Sequence, residues 1–179
     1  PENLYKETAE ILEDGQIIAW YQGRAEFGPR ALGNRSILTK PFPAEMKDYI
    51  NAKVKFREAF RPFAPAVLKE HYSTYFDVKQ ESPHMLIACH VQPDKKEEIP
   101  AVVHIDDTCR VQTVGEDNNF RFRKLLEAFY EKTRVPVLLN TSFNVKGQPI
   151  VNTPQEAIDC FKNTAIESLV IGDYILKKN

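Results

Sequence analysis

Arginines and glycines are concentrated in one segment near the start of the sequence, residues 23–36. The residues concerned are Arg24, Arg30 and Arg35, together with Gly23, Gly28 and Gly33. Glycine lets backbone amides approach an anion closely, and a guanidinium group can match two phosphate oxygens at once. The segment therefore indicates phosphate binding. The alternative is a surface loop whose arginines pair with Glu26 and Glu45.

A second segment, residues 53–65, alternates cations with aromatic residues. In an extended chain, successive side chains point to opposite faces. Lys55, Arg57 and Arg61 would then project from one face, while Phe56 packs into the core from the other. The cations are candidates for binding phosphate, and the alternative is an edge strand with a solvated basic face.

A third segment, residues 139–147, places hydroxyl and amide side chains just past a predicted strand. Ligands of α/β proteins tend to bind at this position. The candidate binding residues are Asn140, Thr141, Ser142 and Asn144. As the alternative, the cluster forms an ordinary turn, because Asn, Ser and Thr side chains bond to their own backbone.

Charge is distributed unevenly along the chain. Residues 24–61 contain nine basic and four acidic side chains, a local net charge of +5, whereas the whole chain carries −1. This overall balance argues against a protein whose entire surface binds nucleic acid or anionic lipid. The longest apolar runs, such as residues 17–21 and 85–89, are far shorter than the ~20 residues of a membrane-spanning helix.

The three cysteines are scattered along a chain that is long enough to bury a core without disulfides. They are Cys89, Cys109 and Cys160. Their placement favours reduced thiols and a cytoplasmic location. A zinc site would have to combine Cys89, His90, His104 and Cys109, whose spacing lacks the paired cysteines of structural zinc sites, so no metal site is predicted.

Periodic apolar patterns and turn residues predict alternating helices and strands. Helices are predicted over residues 3–13, from Pro43, over 120–133, and from a cap at Thr153 through Phe161. Strands are predicted over residues 16–22, 36–39, 64–68, 84–91, 101–105, 110–114, 135–139 and 168–176. With an antiparallel middle region, this order predicts one α/β domain over residues 1–179, built on a twisted mixed sheet flanked by helices.

The three segments, taken with residues 103–114, resemble the C-terminal domain of the nodulation and antibiotic O-carbamoyltransferase family. The resemblance runs from about Gly15 to the end of the chain and keeps four motifs in order. It implies a YrdC-like fold, whose ligand site carries Lys-x-Arg and Ser-x-Asn motifs. Here these are residues 55–57 and 142–144. The sequence departs from the family pattern at Asp107, where a turn glycine is expected before Arg110.

The resemblance implies that ATP and carbamoyl phosphate react to give carbamoyl adenylate and pyrophosphate, with Mg²⁺ accompanying ATP. Lys55 and Arg57 would be the catalytic cations. The implied substrate-binding and nucleotide-binding residues are Arg24, Arg30, Arg35, Arg61, Arg110, Asn140, Thr141, Ser142 and Asn144. The chain would be one part of a longer enzyme, in which an N-terminal domain of actin-like ATPase fold transfers the carbamoyl group to an acceptor.

Three other functions remain open at this point. The chain could be a nucleotide-binding or RNA-binding module without catalysis, although its net charge weighs against nucleic acid. It could instead form threonylcarbamoyl adenylate from threonine and bicarbonate for tRNA modification. Finally, it could be a partner domain that only docks on its transferase half.

Overall fold

The computed structural model describes residues 3–56, 58 and 63–178. The α-helices are α1 (Leu4–Glu13), α2 (Glu45–Ile50), α3 (Tyr72–Tyr75), α4 (Phe120–Thr133) and α5 (Pro154–Lys162). A π-helical turn, Asn51–Lys55, continues α2, and short 3-10 turns cover Lys69–His71, Pro93–Lys95 and Pro100–Val102. The strands are β1 (Ile18–Tyr21), β2 (Arg35–Thr39), β3 (Ala64–Leu68), β4 (Phe76–Asp77), β5 (Ala88–Val91), β6 (Thr108–Arg110), β7 (Gln112–Val114), β8 (Val137–Ser142), β9 (Ser168–Ile171) and β10 (Tyr174–Lys177).

The strands form two sheets. The larger is mixed, in the order β10-β9-β1-β2-β8-β3-β7, with β1 parallel to β9 and β3 parallel to β7. The smaller, β4-β5-β6, is antiparallel. This arrangement confirms the predicted single α/β domain with a mixed sheet. The middle region is antiparallel as predicted in β4-β5-β6, but the predicted strand 110–114 is divided, and its second part, β7, is parallel to β3. Strand β8 lies inside the large sheet, between β2 and β3, so its end has a neighbouring strand on both sides.

The large sheet separates two apolar cores. Along β8, Leu138 points into the core formed with α1 and α4, whereas Val137 and Leu139 point into the other core. That alternation is the two-residue period of a strand buried on both faces. Trp20 and Phe122, both fully buried, lie in the first core, and each such side chain contributes about 1.5–3 kcal/mol of stability through burial.

Two of the predicted helices are confirmed closely. Helix α4 spans the predicted residues 120–133, and its cap residue Asn119 accepts a hydrogen bond from the backbone of Phe122. Helix α5 begins after Thr153, whose side chain forms the predicted capping box with Glu156. Both helices are specified by nearby residues, which is why their limits could be read locally.

Several predicted strands need correction. Residues 168–176 form a hairpin and not one strand, because Gly172 adopts a left-handed φ of 57° and reverses the chain between β9 and β10. Residues 101–105 are not a strand: their apolar character comes from burial of the turn Pro100–Val102. Strand β8 starts and ends later than predicted, so Asn140 and Ser142 lie within it and not beyond it.

The prediction of an extended chain at the start of residues 53–65 is also wrong. Residues up to Lys55 belong to the π-helical turn, and Phe56 then takes a left-handed φ of 50°. This reversal leaves Phe56 53% exposed, and not in the core as predicted. Among the described residues, no helix is long and apolar enough to cross a membrane.

Candidate functional site

Lys55 brings two distant segments of the chain together. Its Nζ donates to the backbone oxygen and Oγ of Ser142, at 2.8 and 3.2 Å, and to the backbone oxygen and Oδ1 of Asn144, at 2.9 and 2.6 Å. The side chain is 4% exposed. These four acceptors are neutral groups, and their bonds hold the ammonium group in place. An immobilised cation of this kind suits an anionic ligand.

The turn that receives Lys55 is fixed by its own hydrogen bonds. Ser142 Oγ donates to Asn144 Oδ1 at 2.7 Å, and Asn144 Nδ2 donates to the backbone oxygen of Gln148 at 2.8 Å. Phe143, between them, is fully buried. Lys55, this turn and residues 145–148 enclose a cavity of about 220 Å³, here called the lysine cavity.

A second cavity of about 120 Å³, the arginine cavity, adjoins the first at Ser142. Arg30 and Arg110 line it, together with Asn140 and Thr141. The pKa of Arg110 is lowered, first by burial and then by the like charge of Arg30. Two cations facing one small cavity repel each other, and an anion bound between them would relieve that repulsion. The arginine cavity is therefore suited to a phosphate group.

Amide side chains on β8 and β7 attach the arginine-rich loop to the large sheet. Asn140 Nδ2 donates to the backbone oxygen of Ala31 at 3.1 Å and to Gln112 Oε1 at 2.9 Å. Gln112 in turn donates to the backbone oxygen of Leu32 at 2.9 Å. Among the described residues, Asn140 Oδ1 has no hydrogen-bond partner. Asn140 thus positions Arg30 by holding the residue that follows it.

Glu26 fixes the same loop from within. Its Oε1 accepts hydrogen bonds from the backbone of Leu32, Asn34 and Arg35, at 2.7, 2.7 and 3.1 Å. Pairing of Glu26 with arginine side chains, the alternative suggested by sequence, is not what this carboxylate does. The sequence did not indicate that Glu26 and Gln112 hold the loop through its backbone, because the backbone groups they bind are defined only in the folded loop.

Arg35 differs from the other arginines of the loop. Its guanidinium donates to the backbone oxygens of Gln22, Asn34 and Gly23, at 2.8, 3.0 and 3.0 Å, and lies 3.5 Å from the centre of the Tyr21 ring. The residue is 3% exposed. Its donors are directed at the protein itself, so this arrangement does not support the predicted role in binding substrate.

The remaining predicted site residues, Arg24, Arg57 and Arg61, are not placed at a cavity by the described structure. Arg24 lies on the exposed part of the loop and makes no hydrogen bond or ion pair with the described residues. Arg57 and Arg61 fall outside the residues that the structure describes, so their roles stay predictions. Of the predicted site, the structure brings together Lys55, Ser142 and Asn144 at one cavity, with Arg30, Arg110, Asn140 and Thr141 lining its neighbour.

A third cavity, of about 410 Å³, opens beside the lysine cavity and is here called the large cavity. The two share Val145 and Gln148. The exposed ring of Phe56 forms part of its wall, and the carboxylate of Asp159 lines another part. The sequence did not indicate this cavity, because its walls come from α5 and two loops that approach only in the folded chain.

Asp107, the departure from the family pattern, has the conformation that glycine would favour. Its φ is 63°, in the left-handed region. Its backbone N–H donates to the backbone oxygen of His104 at 3.0 Å, and this bond closes the turn that leads into β6. Aspartate is among the residues that tolerate this region. The turn before Arg110 therefore keeps its shape without glycine.

Comparison with known proteins gives consistent results. The family model described as carbamoyltransferase C-terminus matches residues 9–178. Nodulation protein NolNO of Sinorhizobium fredii is 47% identical over 99% of this chain and 26% of its own length. The 3'-hydroxymethylcephem-O-carbamoyltransferase of Amycolatopsis lactamdurans is 38% identical over 94% of this chain and 32% of its own length. The chain spans about a quarter to a third of the length of these relatives.

Solved structures share the fold. Full-length HypF, in a phosphate- and nucleotide-bound form, matches 98% of this chain and 25% of its own length, with a TM-score of 0.64 and 20% identity. Sua5 of P. abyssi, complexed with L-threonine, matches 94% of this chain and 46% of its own length, with a TM-score of 0.67 and 14% identity. These likenesses confirm the predicted YrdC-like fold.

Proposed function

Because the chain belongs to the carbamoyltransferase C-terminus family, we propose that it activates carbamoyl phosphate with ATP to form carbamoyl adenylate. The observation that carries this proposal is the contact of Lys55 Nζ with both Ser142 and Asn144. This contact joins the Lys-x-Arg and Ser-x-Asn motifs, 87 to 89 positions apart in the sequence, around one cation. The arginine cavity adjoins them at Ser142.

The chemistry requires positive charge at two places. Water releases inorganic phosphate from carbamoyl phosphate, a carbamate oxygen then attacks the α-phosphorus of ATP, and pyrophosphate leaves. Negative charge builds on the transferring phosphoryl group and on the leaving pyrophosphate, where preorganised cations stabilise it. We assign Lys55, and with it Arg57, to these groups. Arg30 and Arg110 would hold the phosphate of carbamoyl phosphate in the arginine cavity.

The large cavity offers room for the nucleoside. It shares the lining residues Val145 and Gln148 with the lysine cavity, so a nucleotide could place its phosphates at Lys55 and its base beside Phe56. An exposed aromatic ring provides a stacking surface for a base. Full-length HypF, a quarter of which matches this fold, has been solved in a phosphate- and nucleotide-bound form.

Magnesium would accompany ATP and not sit in a protein cage. Among the described residues, no group of three or more His, Cys, Asp or Glu side chains could hold a metal ion. Mg²⁺ commonly binds through substrate phosphates and water. Such an ion would neutralise part of the charge on the pyrophosphate that leaves.

Transfer of the carbamoyl group to an acceptor would require more than this chain. The carbamoyltransferase of A. lactamdurans is about three times as long as the matched region. We propose that the remainder of the full-length protein contains the actin-like ATPase-fold domain that performs the transfer, with this chain supplying the activated group.

The test is exchange of labelled pyrophosphate into ATP by the 179-residue chain. We expect exchange with carbamoyl phosphate present and none with threonine and bicarbonate. Exchange only with threonine and bicarbonate would transfer the assignment to threonylcarbamoyl adenylate formation. Absence of exchange under both conditions, in a folded protein, would contradict an activating role.

The position of the nucleoside has a separate test. Phe56→Ala should weaken ATP binding by about tenfold, because base stacking on an aromatic ring contributes roughly 1–3 kcal/mol. Binding of pyrophosphate should not change. Phe120→Ala is the matched control, since Phe120 is similarly exposed (58% against 53%) but lies on α4, away from the cavity. Equal ATP affinity in the Phe56 and Phe120 variants would exclude Phe56 from the nucleotide site.

A further inference from the structure

Two of the three cysteines face each other across the small sheet. Cys89 on β5 is the register partner of Cys109 on antiparallel β6. Their sulfur atoms are 3.8 Å apart, although the residues lie 20 positions apart in the sequence. Cys89 is 7% exposed and Cys109 is 1% exposed. The third cysteine, Cys160, belongs to α5 and lines the large cavity.

The backbone geometry at this pair suits a covalent bond. Directly opposed residues of antiparallel strands have Cα atoms about 4.5–5.5 Å apart, inside the range of roughly 4.4–6.8 Å found in disulfides. Bond formation requires the sulfurs to approach by about 1.8 Å, to the disulfide length of ~2.05 Å. We infer that Cys89 and Cys109 are a modification site that closes to an intramolecular disulfide when the protein meets a peroxide.

The two thiols would have different roles. The pKa of Cys89 is lowered by its hydrogen bond with Cys109, in which either sulfur can be the donor, and by a second bond from the backbone of Val111. The pKa of Cys109 is raised by the same contact and by burial. Cys89 is also the more exposed of the two sulfur-bearing residues, at 7% against 1%, so we assign to it the attack on the oxidant, for which the thiolate is the reactive form. Peroxide is small enough for a sulfur that is almost enclosed.

The reaction balances with peroxide as the oxidant. Cys89 Sγ attacks one peroxide oxygen, the O–O bond breaks, and a sulfenic acid and water form. Cys109 Sγ then attacks Cys89 Sγ, the S–O bond breaks, and a second water leaves. The two thiols together lose two protons and two electrons, and hydrogen peroxide is reduced to two water molecules.

The cross-link would act on a strand of the candidate site. Arg110, which lines the arginine cavity, directly follows Cys109 and pairs with Ala88 across the same two strands. A disulfide between β5 and β6 would therefore restrain the strand that carries Arg110. It would also limit the unfolded chain, so the oxidised protein should melt about 5 to 10 °C higher than the reduced one.

Mild peroxide treatment of the native chain, followed by thiol counting and peptide mass mapping, tests the inference. We expect accessible thiols under denaturing conditions to fall from three to one, with the peptides of Cys89 and Cys109 linked. The matched control is Cys160→Ser, which should still lose two thiols. Cys89→Ser and Cys109→Ser should form no intramolecular disulfide.

Reduction with dithiothreitol should restore the three thiols and the lower melting temperature. Three thiols remaining after peroxide treatment, a bond that involves Cys160, or linkage only between separate molecules would each overturn the inference. An oxidised protein that melts no higher than the reduced one would overturn the claim that the cross-link limits the unfolded chain.

Discussion

Replacement of Lys55 by methionine tests the central contact of the site. Methionine has nearly the same length but no charge and no donor. Ser142 Oγ and Asn144 Oδ1 would still bond to each other, and the Ser142 carbonyl would still accept from the backbone N–H of Asn144. The Asn144 carbonyl would lose its bond from Lys55 Nζ, one of the bonds that hold this turn.

The expected loss of stability follows from the bond that the Asn144 carbonyl loses. The Asn144 carbonyl is only partly buried, so the loss of its partner costs no more than the roughly 1–3 kcal/mol of a buried acceptor, which corresponds to a fall in melting temperature of at most about 2–12 °C for a chain of this size. The protein should therefore remain folded at room temperature. Binding of pyrophosphate should fall about ten- to a hundredfold, because a charge-assisted hydrogen bond contributes roughly 1.5–3 kcal/mol.

Calorimetric titration with pyrophosphate, alongside thermal melting, measures both effects. Lys53→Met is the matched control: it removes the same charge from the same π-helical turn, but Lys53 is exposed. We expect that variant to differ from the natural protein by less than about 0.5 kcal/mol in stability. A Lys55→Met protein that binds pyrophosphate unchanged, or a Lys53→Met protein that loses as much affinity, would refute the assignment of Lys55 to the site.

Three further predictions concern stability. Asp107→Gly should change the free energy of unfolding by less than about 1 kcal/mol, whereas Asp107→Val should cost about 1–2 kcal/mol because a branched side chain clashes at this φ of 63°; urea denaturation compares them. Arg35→Lys should cost about 1–3 kcal/mol, since an ammonium group cannot reach all three carbonyls that the guanidinium binds, yet leave pyrophosphate affinity unchanged in the folded protein; a large loss of affinity would restore Arg35 to the binding site. Burial lowers the pKa of His104 from its ordinary 6.5, so the unfolded chain takes up a proton first and stability is full above about pH 6.5 and declines as pH falls below it. Melting temperatures measured between pH 7 and 5 should fall less in His104→Gln, and an equal decline in both proteins would show that another group is responsible.

The helices could be predicted from local sequence patterns. Helix α4 and the capping box of α5 were predicted with nearly correct limits, because caps and the 3.6-residue period involve residues that are neighbours in the sequence. Strand limits were less accurate. Residues 168–176 satisfy the composition of a strand throughout, and only the left-handed turn at Gly172 divides them.

The candidate site was predictable in its residue types and only partly in its arrangement. From the sequence alone, cations and polar side chains suited to phosphate could be located in the arginine-rich loop, at Lys55 and in residues 140–144. The sequence did not determine which of them face a cavity. Arg30 and Arg35 belong to the same loop and have the same chemistry, yet one lines the arginine cavity and the other binds backbone carbonyls.

The tertiary structure decided these differences through contacts between segments that are far apart in the sequence. Pairing of β8 with β2 on one side and β3 on the other sets the position of Ser142, the last residue of β8. The π-helical turn after α2 then directs Lys55 towards Ser142. The same kind of pairing places Cys89 opposite Cys109. A residue's type fixes the bonds it can make, but strand register and burial fix which partners are within reach, and neither is encoded in any short stretch of sequence.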